Sequence, residues 1–464
     1  MTSVVIVGAG PGGYEAALVA AQLDAEVTII DPRGPGGSAV LTDCVPSKTL
    51  VATADVLSFA GGTGELGIRV AGQVPQSRAL GVDLGVVNER IRRLAAAQSD
   101  DIETRLAAEG IRHLKGRGRL VSAQRVSVTT DDGTVELPAD VVLIATGSRP
   151  RLLPESPPDD ERILTWQQLY DLDEVPPRLI VVGSGVTGAE FASAYEALGS
   201  QVVLVSSRDH VLPGEDPDAA NVIEDVFAER GVTVLDRARA KGVRRTAEGV
   251  IVDLEDGREI EGSHVLLALG SVPNTEDLGL DAAGVATDER GFIQVDRVSR
   301  TSARGVYAAG DCTGVLPLAS VAAMQGRIAM WHALGDAVQP LELASVSSTV
   351  FTTPEIATVG ATQAQVDAGE VRADSIMLPL ATNARAKMQE LRHGFVKVFC
   401  RPTSRIVIGG VVVAPRASEL IHALTLAVDT RLTVDQLAST FTVYPSLSGS
   451  IAEAARRLHI SAEA

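Results

Sequence analysis

The feature that most constrains this chain is a glycine-rich turn that occurs twice. Residues 4–7 form an apolar run expected to be a strand. Gly8-Ala9-Gly10-Pro11-Gly12-Gly13 follows, then a helical stretch over 14–23, then a second strand over 26–30 that ends at Asp31. Strand, turn, helix, strand and acid fit into one short unit, the context in which GxGxxG carries meaning. Gly8 permits the tight turn, Gly10 lets a pyrophosphate approach the backbone, and Gly13 lets the helix pack on the strand. The helix N-terminus offers N–H groups to phosphate. Asp31 is placed to accept a hydrogen bond from a ribose hydroxyl.

The same unit returns with a strand over 179–182, Gly183-Ser184-Gly185-Val186-Thr187-Gly188, a helix over 189–198 and a strand over 201–205. Two such units in one chain point to two dinucleotides, a tightly held flavin and an exchangeable nicotinamide. The second unit departs from the NAD pattern. Its second strand ends Val205-Ser206-Ser207-Arg208, with no acid at the ribose position. A carboxylate there would bind a 2′-hydroxyl and repel a 2′-phosphate, whereas Ser206, Ser207 and Arg208 can accept the phosphate. Both NAD and NADP are expected to bind, with some preference for NADPH.

Composition bounds the rest. A chain of 464 residues with 45% hydrophobic residues can bury a large core and suggests about three domains. With 41 basic and 59 acidic residues the formal charge is −18. That balance disfavours nucleic acid and anionic membranes as partners, and no apolar run is long enough to span a bilayer. The three cysteines, Cys44, Cys312 and Cys400, lie far apart and form no CxxC. This excludes a disulfide framework and a zinc ribbon, and it fits a reducing compartment. His210, His332 and His422 have no metal-ligand spacing, so no metal is expected. The chain runs straight into its first strand without a signal segment, so the expected location is cytoplasmic.

Between the two units, residues 90–118 read as an alanine-rich, charged helix. Residues 118–146 read as short strands around Asp131-Asp132-Gly133, ending at Ala145-Thr146-Gly147. A second copy of that ending, 264–270, closes the second unit at Gly270. Pro150, Pro154, Pro157 and Pro158 mark a crossing between domains, and 61–86 reads as a glycine-rich surface excursion. Residues 306–311 form a strand ending in Gly310-Asp311, whose carboxylate can hold a flavin ribityl hydroxyl. Leu318-Ala319-Ser320 begins a helix whose N–H groups can face the flavin ring carbonyls. After residue 345, strands over 347–351, 394–400 and 406–413 with two helices read as a separate domain. Arg385, Lys387 and Arg392 read as a solvated basic face.

Together these segments resemble the pyridine nucleotide–disulfide oxidoreductase family, which includes dihydrolipoamide dehydrogenase and glutathione reductase. The likeness covers nearly the whole chain and includes Val350-Phe351-Thr352-Thr353-Pro354-Glu355-Ile356 and Tyr444-Pro445-Ser446-Leu447-Ser448. It implies an α/β fold with two doubly wound, Rossmann-like dinucleotide-binding domains and a C-terminal α+β dimerisation domain. The implied division is FAD-binding over 1–150 and 272–344, NAD(P)-binding over 151–271, and dimerisation over 345–464 in a homodimer. It also implies that Lys48 and Glu190 form an ion pair near flavin N5.

The departures from that pattern are informative. The family's redox segment carries two cysteines separated by four residues, before a branched residue and Pro-Ser-Lys. Here the segment is Gly36-Gly37-Ser38-Ala39-Val40-Leu41-Thr42-Asp43-Cys44-Val45-Pro46-Ser47-Lys48, with only the second cysteine. The family's C-terminal His-Pro and following Glu are replaced by Tyr444, Pro445 and Gly449. A tyrosine with a reference pKa near 10 is a poor base at neutral pH. The resemblance therefore implies an FAD enzyme of the quinone-reducing branch, which passes electrons from NAD(P)H directly to a quinone-type acceptor. The expected catalytic set is Lys48, Glu190, Cys44 and Tyr444, with Cys44 either a thiolate that perturbs the flavin or an inert small side chain. Rival readings are an oxidase giving peroxide, a mixed-disulfide reductase at Cys44, and an inactive family member kept as a binding partner.

Overall fold

The computed structural model describes residues 1–64, 66–69, 71–74 and 80–461. The chain opens with β1 (Ser3–Val7), α1 (Pro11–Gln22) and β2 (Glu26–Asp31). The helices α2 (Gly37–Leu41), α3 (Cys44–Gly62) and α4 (Leu84–Ala108) come next. Then follow β3 (Arg112–Lys115), an antiparallel meander of β4 (Arg117–Ser122), β5 (Arg125–Thr130) and β6 (Gly133–Pro138), and β7 (Val141–Ile144). β1 pairs in parallel with both β2 and β7. A central parallel strand is covered on both faces, which is why β1 and β7 are runs of branched apolar residues.

The second unit contains β8 (Ser148–Pro150), β9 (Ile163–Leu164), β10 (Arg178–Val182), α5 (Val186–Ala197), β11 (Gln201–Val205), α6 (Pro217–Arg230) and β12 (Thr233–Leu235). A meander of β13 (Ala240–Arg245), β14 (Val250–Leu254) and β15 (Glu259–Gly262) leads to β16 (His264–Leu267) and β17 (Ser271–Pro273). Its parallel sheet has the order β12-β11-β10-β16-β9. β8 and β17 pair antiparallel, so the chain leaves and re-enters the first unit through one two-stranded crossing. After α7 (Leu280–Ala283), β18 (Val306–Ala308) joins the first sheet beside β7, giving the order β18-β7-β1-β2-β3. α8 (Ala319–Ala333) then packs along α1, where Gly12 and Gly326 let the two backbones approach closely.

The C-terminal part is an antiparallel sheet with the order β19-β20-β23-β22-β21. Its strands are β19 (Ser347–Val350), β20 (Glu355–Gly360), β21 (Asp374–Pro379), β22 (Phe395–Cys400) and β23 (Val407–Ala414). Its helices are α9 (Gln363–Asp367), α10 (Ala384–Met388), α11 (Ala417–Asp429), α12 (Val434–Ser439) and α13 (Gly449–Ser461). One apolar cluster joins all three parts, with Leu50 of α3, Phe191 of α5, Val350 of β19 and Phe399 of β22. A buried ion pair adds to the junction: Lys397 Nζ of β22 lies 2.8 Å from Asp216 Oδ2 at the start of α6.

Three expectations need correction. The helix expected over 90–118 is α4, which starts six residues earlier and stops at Ala108. Gly110, at φ +70°, turns the chain, and β3 follows. β3 is an edge strand with two exposed charged ends, so its sequence continues the charged pattern of the helix and conceals the break. The C-terminal part has β20 and β21 in addition to the expected strands, and five helices rather than two among the described residues. The excursion expected over 61–86 begins inside α3 and ends inside α4. Much of what lies between, at 65, 70 and 75–79, is outside the described residues.

Candidate active site

The two glycine turns are built alike. Gly8 has φ +107°, and a Cβ on it would lie 2.2 Å from the Ala145 carbonyl oxygen. A Cβ on Gly13 would lie 1.9 Å from the Gly8 oxygen. Gly10 has nothing nearer than 4.0 Å, so its backbone is open to a ligand. In the second turn Gly183 and Gly188 are locked in the same way, and Gly185 is open.

The residues that follow the second strands are equivalent as well. Gly8 N donates to Ile30 O, and Gly183 N donates to Val205 O, so Asp31 and Ser206 occupy the same place in their units. Asp31 Oδ2 accepts from Ala9 N at 3.0 Å, and Oδ1 accepts from Arg33 N at 2.8 Å. Ser206 is fully buried and bonds Ser184 Oγ at 2.7 Å. It therefore braces the turn, while Ser207 and Arg208 are exposed. Arg237, just beyond β12, reaches the same loop: its N–H donates to Arg208 O, and its Nε donates to Asp209 Oδ1 at 2.7 Å. The sequence reading missed Arg237, because its place depends on β12 lying beside β11.

The first turn opens on a narrow cleft of about 90 Å³. Its walls include Gly10, Asp31, Arg33, Ala39, Asp43, Cys44, Ala145, Thr146, Gly147, Gly310, Asp311 and Ala319. α1 and α8 both start at it, with Gly10 and Leu318 as N-caps and no side-chain capping bond. Their first N–H groups are left for a ligand's oxygens. Thr146 is fixed by Asn274, which accepts its hydroxyl at 2.7 Å and donates to its carbonyl at 3.0 Å. Asp311 accepts the Ser148 hydroxyl at 2.8 Å, and burial lifts its carboxyl above the usual range.

Beside this cleft one carboxylate ties three segments together. Glu190 Oε2 of α5 lies 2.8 Å from Lys48 Nζ of α3. Glu190 Oε1 accepts from Phe351 N at 2.9 Å, in the loop after β19. The Lys48 ammonium sits 4.9 Å from the centre of the Phe351 ring. Thr353 strengthens the junction by donating its N–H to Ser193 Oγ and its hydroxyl to Asp55 Oδ1. Burial pulls the Lys48 ammonium down, and Glu190 more than offsets this by charge and hydrogen bond, so Lys48 stands above its ordinary value. Burial, reinforced by the Asp43 charge, pushes the Cys44 thiol up to about 11. Of the two expectations for Cys44, the thiol is therefore favoured over the thiolate. Burial also lifts the Asp43 carboxyl to about 6, with Lys48 lowering it and Glu190 and Asp311 raising it.

Residues 2–326 match the family described as pyridine nucleotide-disulphide oxidoreductase, and residues 346–455 match its dimerisation domain. The chain belongs to this family. It is 57% identical over 468 residues to a protein named NAD(P)H dehydrogenase (quinone) from Mycobacterium tuberculosis, covering 99% of this chain and 94% of that one. It is 33% identical over 451 residues to a dihydrolipoyl dehydrogenase from Chlamydia pneumoniae, covering 97% of this chain and 95% of that one. The crystal structure of LpdA from Mycobacterium tuberculosis superposes with a TM-score of 0.94 at 56% identity, over 99% of this chain and 100% of that one. The chain is thus an oxidoreductase of a flavoprotein family that uses FAD and NAD(P)H, and its dimerisation domain supports a homodimer.

The residues of this family member fit FAD at the first cleft. The open backbone at Gly10, the two uncapped helix ends and the Asp31 and Asp311 carboxylates give phosphate, carbonyl and hydroxyl partners along one groove. Not every residue singled out from sequence comes together there. Leu318 caps α8 without lining the cleft, Ser320 is exposed, and Gly270 lies in the loop after β16. Tyr444 is 85% exposed, beside exposed Phe441 and Val443, and does not line the cleft of its own chain. Asp43 lines the cleft and was not singled out from sequence. Among the described residues there is no His, Cys, Asp and Glu group that could hold a metal, and no helix long and apolar enough to cross a membrane.

Proposed function

We propose that this chain passes electrons from NAD(P)H, by way of bound FAD, to a quinone-type acceptor without a redox-active disulfide. The observation that carries this reading is Ala39 beside Cys44 in the cleft. A dithiol needs a second sulfur there, and the other cysteines, Cys312 and Cys400, are free and buried elsewhere. The name of the 57% identical relative supports the acceptor class.

FAD, when bound, supplies the two-electron chemistry. The protein supplies placement and electrostatics. Asp31 and Asp311 would hold ribose and ribityl hydroxyls, and the N-termini of α1 and α8 would offer N–H groups to the phosphates and ring carbonyls. Lys48, oriented by Glu190, would set a cation beside bound flavin, where it would favour negative charge. The turn at Gly183, Gly185 and Gly188, with Ser207 and Arg208 at its rim, would take either nicotinamide dinucleotide, with some preference for NADPH. Residues 1–150 with 272–344 form the FAD-binding part, 151–271 the NAD(P)-binding part, and 345–464 the dimerisation part. The three unpaired cysteines suit a cytoplasmic setting.

A steady-state screen tests this reading. NADPH and NADH are each paired with menadione, lipoamide and oxygen. Menadione turnover with little lipoamide turnover supports it. Peroxide formation matching NADPH consumption would replace it with an oxidase, lipoamide turnover would return the chain to the disulfide-reducing members, and loss of FAD on purification would favour an inactive binding protein.

A further inference from the structure

We propose that Asp43 hands the acceptor the proton it takes up on reduction, in place of the histidine base that this chain lacks. This rests on the quinone reading. Asp43 lines the same cleft as Cys44 and Asp311, next to the Lys48–Glu190 pair. It stands immediately before α3, yet its carboxyl makes no capping bond to that helix; Ser47 N donates to its main-chain oxygen instead, at 2.7 Å. The carboxyl is thus left to the cleft rather than spent on the helix end.

Its surroundings suit a carboxyl that holds and releases a proton. On its own helix it faces Cys44 and Lys48. From other elements it faces Glu190 of α5, Asp311 after β18 and Tyr170, whose buried hydroxyl has no partner. Lys48 is already engaged by Glu190, and the two carboxylates oppose a further negative charge. The other groups lie far from neutrality or are committed. The Cys44 thiol stands at about 11, Tyr170 is raised well above its ordinary value by burial, and Asp311 accepts the Ser148 hydroxyl. Asp43, at about 6, is close enough to neutral pH to be used in both forms.

The balance is simple. Quinone, NAD(P)H and one proton give hydroquinone and NAD(P)⁺. The Asp43 O–H bond breaks as an O–H bond forms on the quinone oxygen. The carboxylate left behind recovers its proton from water at the mouth of the cleft.

The test compares FAD-loaded wild type, Asp43→Asn and Asp43→Glu, each with its FAD content measured. Ferricyanide accepts electrons without protons, so the ratio of menadione to ferricyanide turnover isolates the proton step. In Asp43→Asn this ratio should fall by about 10² and lose the decline with rising pH that wild type shows. Asp43→Glu should recover most of it. Infrared spectra taken across the same pH range should contain a carboxyl band that titrates in wild type and is missing in Asp43→Asn. An unchanged ratio, an equal fall with both acceptors, or no titrating band would each overturn the proposal. A wild type that reduces no menadione would refute the quinone reading itself, and the infrared titration tells that failure from a failure of Asp43.

Discussion

Lys48 and Glu190 meet at 2.8 Å across two helices, and they are unequally buried, with side chains 31% and 5% exposed. The inequality predicts which partner is costlier to lose. Lys48→Met leaves Glu190 charged and buried without a cation, a change expected to cost about 3 kcal/mol. Glu190→Gln can keep the bond from Phe351 N and leaves Lys48 partly in water, so it should cost about 1 kcal/mol. Denaturant midpoints of the two variants decide; a costlier Glu190→Gln would contradict the burial account.

Asp43 gives a pH-dependent prediction that is independent of turnover. Its carboxyl rises from 3.8 to about 6 on folding. A raised carboxyl is protonated more readily in the folded chain than in the unfolded one. The stability this contributes is complete below pH 3.8 and is lost as pH rises through about 6. At neutral pH the wild type therefore carries a penalty of about 3 kcal/mol that Asp43→Asn removes. Asp43→Asn should be the more stable of the two at pH 7 relative to their difference at pH 4, read from denaturant midpoints. A gap that does not change with pH would show that burial does not strain this carboxyl.

Cys44 is expected to be dispensable. Burial pushes its thiol up to about 11, which favours the protonated, weakly nucleophilic form at neutral pH. Cys44→Ser should keep menadione turnover within about tenfold, or roughly 1.4 kcal/mol. Wild type should show no thiolate-to-flavin absorption at neutral pH. A collapse of turnover with FAD retained would favour the mixed-disulfide reading.

The glycine turns were legible because their chemistry is local. Gly13 meets Gly8 of its own unit, so spacing states its constraint, whereas Gly8 meets Ala145 just after β7 and was legible from the motif. The absent sulfur at Ala39 was legible only against the two-cysteine segment of the family that the chain resembles. Asp43 and Arg237 were not, since each gains its meaning from segments distant in sequence: Asp43 from Glu190 and Asp311, and Arg237 from the loop after β11. Tyr444 was placed by motif position, which says nothing about the cleft of the same chain. The strand β3 was missed because an exposed edge strand does not have to be apolar.

Arg208 and Arg237 differ at the proposed nicotinamide site. Both are exposed, but Arg237 is paired with Asp209, while Arg208 lies at the rim beside Ser207. Arg208→Ala should weaken NADPH by about 1.5 kcal/mol, the lower end for a charge-assisted bond because the group is exposed. NADH should be affected much less. Equal changes in the two KM values would place Arg208 away from the 2′-phosphate.

Restoring one sulfur should not restore disulfide chemistry. Ala39, in α2, and Cys44, at the start of α3, line one cleft, so Ala39→Cys can bring a second thiol beside the first. The reduced pair would still lack the family's histidine and the glutamate that orients it, a loss of roughly 10²–10⁴ in rate. Tyr444→His supplies an imidazole. Gly449→Glu has room, because a Cβ there would meet nothing nearer than Ser446 Oγ at 3.6 Å. Groups that act as a unit are not additive, so the triple variant should exceed every single one in lipoamide turnover. Tyr444 lies outside the cleft of its own chain, so the gain should also disappear when the homodimer is dissociated. If Ala39→Cys alone matched the triple variant, a base already present in the cleft would be serving the dithiol, and Asp43 would be the residue to remove next.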